Sequence, residues 1–255
     1  MATPAQRPNT WTLDTWYDQA VAGTQGDYNS NGLLFSWGGN IIGGLGQNNE
    51  TDYSSPTQVG SDSTWSDNRF KLAGGYRNAN AIKTDGTLWA WGLGSNGQLG
   101  QNEAHNDYHS SPTQVGTDTD WSSVHRGYEY GIYTKTDGTL WMSGRGNNGQ
   151  LGQGNRTNYS SPIQIPGTWK QNARIGSGKQ FVLAVKEDGA LWSWGYQNQG
   201  QLGLNQGIHI SSPTQVGTDT TWTASMNSYS PSINGYYSMG AVKTCLLYTS
   251  PSPRD

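Results

Sequence analysis

Two glycine-rich loops, Gly92-Leu93-Gly94-Ser95-Asn96-Gly97 and Gly144-Arg145-Gly146-Asn147-Asn148-Gly149, carry the spacing G-x-G-x-x-G. That spacing cradles a dinucleotide pyrophosphate when a strand precedes it and a helix follows. No helical periodicity follows either loop, and in related stretches Asn40 and Gln197 replace the middle glycine. Turns, not phosphate cradles, are therefore expected. His105 and His109 stand four apart, as metal ligands on a helix would, but they lie in the loop-like stretch NEAHNDYH with no third ligand nearby. Asp62, Asp118, Asp120 and Asp219 could offer oxygens to Ca²⁺, yet the remaining ligands of an EF-hand loop are missing, and Asp is a common turn former. Asn49, Asn155 and Asn158 begin N-x-[ST] sequons, which are expected to be chance because the opening MATPAQRPNT lacks the apolar core of a secretory signal. No Ser/His/Asp set or carboxylate pair separates itself from the many loop Asp residues. The expectation is no catalytic residue, no cofactor and no bound metal. One stretch stands apart as a binding loop: Asn102, Glu103, His105, Asp107 and Tyr108, around an insertion at 103–109.

The elements that position these residues come from repetition. DGTLWAWGLGSNGQLG begins at Asp85, DGTLWMSGRGNNGQLG at Asp137, DGALWSWGYQNQGQLG at Asp188, and a looser NGLLFSWGGNIIGGLG at Asn31. The leucines Leu34, Leu88, Leu140 and Leu191 are 54, 52 and 51 residues apart, a period that marks a repeat architecture. Each unit adds an SSP motif (Pro56, Pro112, Pro162, Pro213), then Trp65, Trp121, Trp169 or Trp222, then a glycine-led apolar run ending in Asp-Gly. Asp-Gly between two strand-like runs predicts a hairpin with a type I′ turn. In the run after it, Leu88 and Ala90 point to one face and Trp89 and Trp91 to the other, so the strand should be covered on both sides. Stacked propeller blades do this, and no helix-period segment inside a unit supports an α-solenoid.

The block LWAWGLGSNGQLG, followed by SSPTQV and GYRNANAIKTDG, resembles the repeat of the regulator of chromosome condensation family over residues 31–244. The resemblance implies an all-β propeller, usually of seven blades, whose sequence repeats are offset from its structural blades. The repeats fall at about 34–87, 88–139, 140–190 and 191–244, four repeats and the opening strand of a fifth. That is a fragment of such a ring, and it should leave blade faces and strand edges unpaired. The family commonly has His seven residues before the hairpin Asp; Asn78, Tyr130, Phe181 and Ser238 stand there, so that position is expected to be structural. Ser143 also stands where Trp37, Trp91 and Trp194 are found.

Composition agrees with a turn-rich β protein: 36 Gly, 12 Trp and 14 Tyr against 3 Phe and 13% charged residues. A net charge of −3 offers no basic field for nucleic acid or acidic lipid, and no apolar run has the roughly 20 residues of a membrane span. Residues 1–30 form an N-terminal segment in which WTLDTWYDQAVAG, at 11–23, has the spacing of a short helix. Residues 245–255, CLLYTSPSPRD, resemble the translation of a sequencing-library adaptor and interrupt the repeat where Asp is due, so they are expected to be non-native. The function expected is a non-enzymatic scaffold binding a protein or glycan through loops, for instance on a phage, virion or microbial surface. The alternative is a regulatory propeller acting as a guanine-nucleotide exchange factor or on chromatin.

Overall fold

The computed structural model describes residues 31–103, 108–169, 175–227 and 240–243. The expected N-terminal helix and adaptor-derived tail lie outside them. The described residues form strands and turns only, and no helix among them is long and apolar enough to cross a membrane.

The chain enters through β1 (Asn31–Gly32), and β2 (Phe35–Gly38) pairs with β3 (Tyr53–Gln58), while β4 (Trp65–Ser66) returns to β1. Three four-stranded antiparallel meanders follow. The first is β5 (Leu72–Gly74), β6 (Asn78–Ile82), β7 (Leu88–Leu93) and β8 (Tyr108–Gln114). The second is β9 (Trp121–Arg126), β10 (Tyr130–Lys135), β11 (Leu140–Gly144) and β12 (Tyr159–Ile165). The third is β13 (Gly176–Ser177), β14 (Phe181–Val185), β15 (Leu191–Gly195) and β16 (Ile210–Gln215). A two-stranded sheet of β17 (Trp222–Asn227) and β18 (Gly240–Lys243) ends the described chain. Each sequence repeat thus supplies the last two strands of one sheet and the first two of the next.

The sheets converge along their first two strands, β5 and β6 against β9, and β14 against β17. These strands therefore mark the axis side of a propeller. Cores lie between sheets. Trp91 packs back with Leu34, Val59 and Trp65, whereas Leu88 and Ala90 pack forward with Val115, Trp121, Val124 and Tyr133. The next interface repeats the arrangement with Trp194 against Met142, Leu151, Ile165 and Trp169. The two-sided burial expected of this strand is present, which requires apolar residues at successive rather than alternate positions.

The hairpin turn differs from its expected type. Gly86 has φ 82°, but Asp85 is not among the residues with positive φ, as a type I′ turn would require. The Gly86 N–H donates to Lys83 O at 3.0 Å and the Lys83 N–H to Thr87 O at 3.0 Å, which is a type I turn closed by a left-handed glycine. Asp85 Oδ1 accepts from the Thr87 N–H and Oγ1, so the aspartate acts as a side-chain cap and keeps an ordinary backbone. The turns at Gly138 and Gly189 close the same way.

The same end of each sheet holds an ammonium between two indoles. Lys83 Nζ lies 3.7 Å from the Trp89 ring centre and 5.0 Å from that of Trp65. Lys135 sits between Trp121 and Trp141, and Lys186 between Trp169 and Trp192. Asp62 pairs with Lys83, and Asp118 and Asp120 lie 2.7 and 3.0 Å from Lys135 Nζ. These aspartates hold lysines, and among the described residues no group of three His, Cys, Asp or Glu could hold a metal.

Candidate binding face

In a meander, the loop after the first strand and the loop after the third emerge at the same end. That end therefore carries 75–77, 127–129 and 178–180 near the axis, with 94–103, 145–158 and 196–209 outside them. Both former dinucleotide candidates lie in the outer set. The loop at 94–100 is two successive turns, with the Gly97 N–H on Gly94 O at 2.8 Å and the Gly100 N–H on Gly97 O at 3.0 Å. No helix follows. Gly97 has φ 82°, and a Cβ there would come within 2.6 Å of Ser160 Cα in the next sheet, so the glycine serves close packing.

The expected binding loop divides. Asn102 has φ 58°, and its N–H donates to Ser160 O at 2.7 Å. Asn48 donates to Ser110 O and Gly154 to Ser211 O in the same way, so this position ties each sheet to the following one. Glu103 Oε2 lies 2.7 Å from His109 Nε2 across the loop base. Tyr108 begins β8, half exposed, and its phenol is held above the usual tyrosine range by a hydrogen bond to Glu50. His105 and Asp107 lie outside the described residues.

Sequence reasoning passed over the inner loops. Tyr76 and Tyr128 stack across adjacent sheets, ring centres 4.5 Å apart and planes 19° from parallel. Arg77 extends over Tyr76 at 4.9 Å, and Lys179, from the third sheet, over Tyr128 at 5.1 Å. Tyr76 and Arg77 are exposed, and Tyr128 and Lys179 are half-buried. Glu129, beside Tyr128, pairs with Arg145 at 2.5 Å. Arg77 takes φ 61°, a conformation non-glycine residues seldom adopt, and its carbonyl accepts the Leu93 N–H at 2.8 Å. The result is a row of two aromatic rings flanked by cations, anchored on the axis side. A signal existed: the residue after the glycine in GYR, GYE and GKQ is long and amphipathic at 76, 128 and 179.

Below this row, the position where the family carries His joins one sheet to the next. The Tyr130 hydroxyl is fully buried, donates to Phe181 O at 2.7 Å and lies 2.9 Å from Gly178 O; burial raises its pKa. Asn78 instead accepts from the Arg126 guanidinium of the next sheet, as does Asn80, and Arg126 Nη1 also donates to Gln98 O at 2.9 Å. Equivalent carbonyls elsewhere, Gly44 O and Gln150 O, take the indole N–H of Trp91 and Trp194. Arg126 thus supplies the donor that Ser143 lacks.

Residues 85–132, 137–185 and 188–224 match the family described as the regulator of chromosome condensation (RCC1) repeat. The Arabidopsis thaliana ultraviolet-B receptor UVR8 is 27% identical over 183 residues, 71% of this chain and 41% of that protein. The mitochondrial RCC1 domain-containing protein RUG3 of the same plant is 29% identical over 194 residues, 72% of this chain and 43% of its own. The human E3 ubiquitin-protein ligase HERC2 is 26% identical over 73% of this chain but only 4% of its own length. Among solved structures, Prp20p of Saccharomyces cerevisiae superposes with a TM-score of 0.67 at 19% identity, covering 84% of this chain and 52% of that one. Human WBSCR16 gives 0.63 at 22%, covering 74% and 49%. The chain therefore spans about half the length of these propellers, or less. With its matched repeats, its stacked four-stranded sheets and its offset between repeat and sheet, the chain belongs to the regulator of chromosome condensation repeat family.

Proposed function

We propose that this chain is a binding scaffold whose loop-bearing end captures a protein. The observation that carries the reading is the row Arg77–Tyr76–Tyr128–Lys179, in which aromatic surface and cations sit on short loops held between the paired strands nearest the axis. Tyrosine and arginine are enriched at the energetic centres of protein interfaces; tyrosine buries large area with only two rotors to freeze, and arginine adds a planar, multiply donating cation. The outer loop residues Asn102, Glu103, His105, Asp107 and Tyr108 would rim this centre and set selectivity. Prp20p has binding properties towards Gsp1p and histones, and a crystal structure holds Kap60 bound to it; both favour a protein ligand over a glycan. A role on a phage, virion or microbial surface is a narrower form of the same reading.

The test is selection of a displayed random peptide library on the immobilised chain, run beside a glycan array. Peptides that lose at least tenfold in affinity for the Tyr76→Ala/Tyr128→Ala variant are expected. Array hits without peptide hits would replace the protein reading with a glycan one. Ligands indifferent to the double variant would remove the face from consideration. The second reading, nucleotide exchange, rests on Prp20p and is checked by adding the chain to Gsp1p loaded with fluorescent GDP. No acceleration of release is expected, since no residue here is assigned to exchange.

A further inference from the structure

The three lysine cages, at the end of the sheets opposite the tyrosine row, are not alike. Asp62 closes the cage of Lys83, and Asp118 and Asp120 close that of Lys135; both lysine side chains are 11% exposed. Lys186 keeps its two indoles, with Nζ 3.7 Å from the Trp192 ring centre and 5.3 Å from that of Trp169. It is only half-buried, and no carboxylate among the described residues pairs with it. Asp188 does not stand in, because it caps its own turn through the Ala190 N–H at 2.9 Å, as Asp85 and Asp137 cap theirs.

Two sequence differences cause this. Trp65 and Trp121 follow Val59 and Val115 by six positions, and the aspartates lie in between; Trp169 follows Ile165 by four, through Pro166-Gly167-Thr168. The segment after it, 170–174, reads KQNAR, with two cations and no acid. Ala190 stands where Thr87 and Thr139 accept the indole N–H of Trp89 and Trp141 at 2.8 Å, so Trp192 Nε1 is buried without an acceptor. Trp169 Nε1 is unpartnered as well, in a residue 2% exposed. It shares this with Trp65 and Trp121, but here it faces the bare Gly167, where a Cβ would lie 3.8 Å from Nε1 and 3.3 Å from Lys186 Nζ. One cage has thus lost both acceptors that its sisters hold and kept its donors.

We propose that the Lys186 cage binds a carboxylate group supplied from outside the chain. The sister cages give the template, an ammonium seated between two indoles with a carboxylate over its open side. Because the indoles already hold the lysine, pairing costs little of the side-chain entropy that makes exposed ion pairs weak. Partial burial also raises the attraction above that of two fully solvated charges. The ligand chemistry is a single carboxylate, borne by a small organic acid or by the Asp or Glu side chain of a docked protein. The cage lies at the other end of the sheets from Tyr76 and Tyr128, so the two sites can be occupied together.

The experiment follows the assigned indole N–H resonances of Trp169 and Trp192 in the full chain. Sodium acetate is titrated against sodium chloride at constant ionic strength, and then the end-blocked peptides Gly-Asp-Gly and Gly-Asn-Gly are compared. Acetate, Gly-Asp-Gly or both should shift these resonances saturably, while chloride and Gly-Asn-Gly leave them in place. Saturation by acetate assigns the site to a free acid, and saturation by the peptide alone assigns it to the acidic side chain of a partner. Lys186→Gln should weaken binding by about tenfold or more, since the charged donor is lost. Replacing Pro166-Gly167-Thr168 with the GTDTD of 116–120 gives the cage its own aspartates and should abolish binding, with the remaining indole resonances unmoved. No saturable shift with either carboxylate, an equal shift with chloride, or unchanged binding in Lys186→Gln would overturn the proposal.

Discussion

Tyr130 and Arg126 do the same work by different chemistry, each carrying a donor across a sheet boundary to a group that water cannot reach. Tyr130→Phe removes only a hydroxyl and leaves the Phe181 carbonyl its bond from the Gly178 N–H, so a loss of about 0.5–1.5 kcal/mol is expected from urea unfolding. Arg126→Met should cost more, roughly 3–5 kcal/mol, because Asn78, Asn80 and Gln98 O all lose their donor. Equal losses in the two variants would contradict this assignment. Asp62 gives a pH dependence. Burial alone would raise its carboxyl, but Lys83 and Thr64 outweigh that and hold it at about 2 against an ordinary 3.8. Its stabilisation is therefore complete above about pH 4 and is lost as pH falls towards 2. Because the carboxylate is about a third exposed, screening limits the contribution to roughly 1 kcal/mol. Asp62→Asn should be less stable than the parent at pH 7 and show a smaller drop in urea midpoint between pH 4 and 2. None of these partners could be read from sequence. The position of Asn78 and Tyr130 was visible as a departure from the family's His, and its structural role was inferable. Its partners Arg126 and Phe181 lie 48 and 51 residues away, in another repeat, and only the stacking of sheets reveals them.

Strands and their two-sided burial were legible because the repeat displays the same apolar pattern several times over. The turn type was not, since Asp-Gly is compatible with both a type I′ turn and a type I turn ending on glycine. What decides is the Thr87 N–H and hydroxyl on Asp85 Oδ1, a contact two residues away that the dipeptide alone does not encode. Glycines of similar φ allow a test at this scale. Gly86, at φ +82°, has no room for a Cβ beside the Thr119 carbonyl, whereas Gly116, at φ +61°, would meet nothing within 4 Å. Gly116→Ala should cost about 1 kcal/mol, the strain of a left-handed alanine. Gly86→Ala should cost at least twice as much, because Thr119 must also move and with it the Trp121 N–H that donates to Gly86 O. A comparison of the two melting temperatures decides it, and similar values would remove packing as the reason for the turn glycine.

At the level of the whole molecule, repetition hides function as effectively as it reveals fold. Aligning the copies draws attention to what differs in sequence, which favoured the insertion at 103–109. Tyr76 and Tyr128 are alike in two copies and so looked like scaffold, yet they stack only because the sheets converge at the axis. The loop and the tyrosine pair now make separable demands. Replacing 103–107 with a short Gly-Ser segment, while keeping Asn102 for its bond to Ser160 O, leaves the sheet boundary intact and should change stability by less than about 0.5 kcal/mol. A ligand centred on the tyrosines should then lose only a few-fold in affinity from the loop replacement, against tenfold or more from Tyr76→Ala/Tyr128→Ala. The hierarchy follows from preorganisation: the tyrosines are already stacked on each other in three-residue loops between paired strands, so they bind with little ordering cost. Affinities for peptides selected on the parent chain measure both variants directly. The reverse order would move the centre of binding outward to Tyr108 and Glu103.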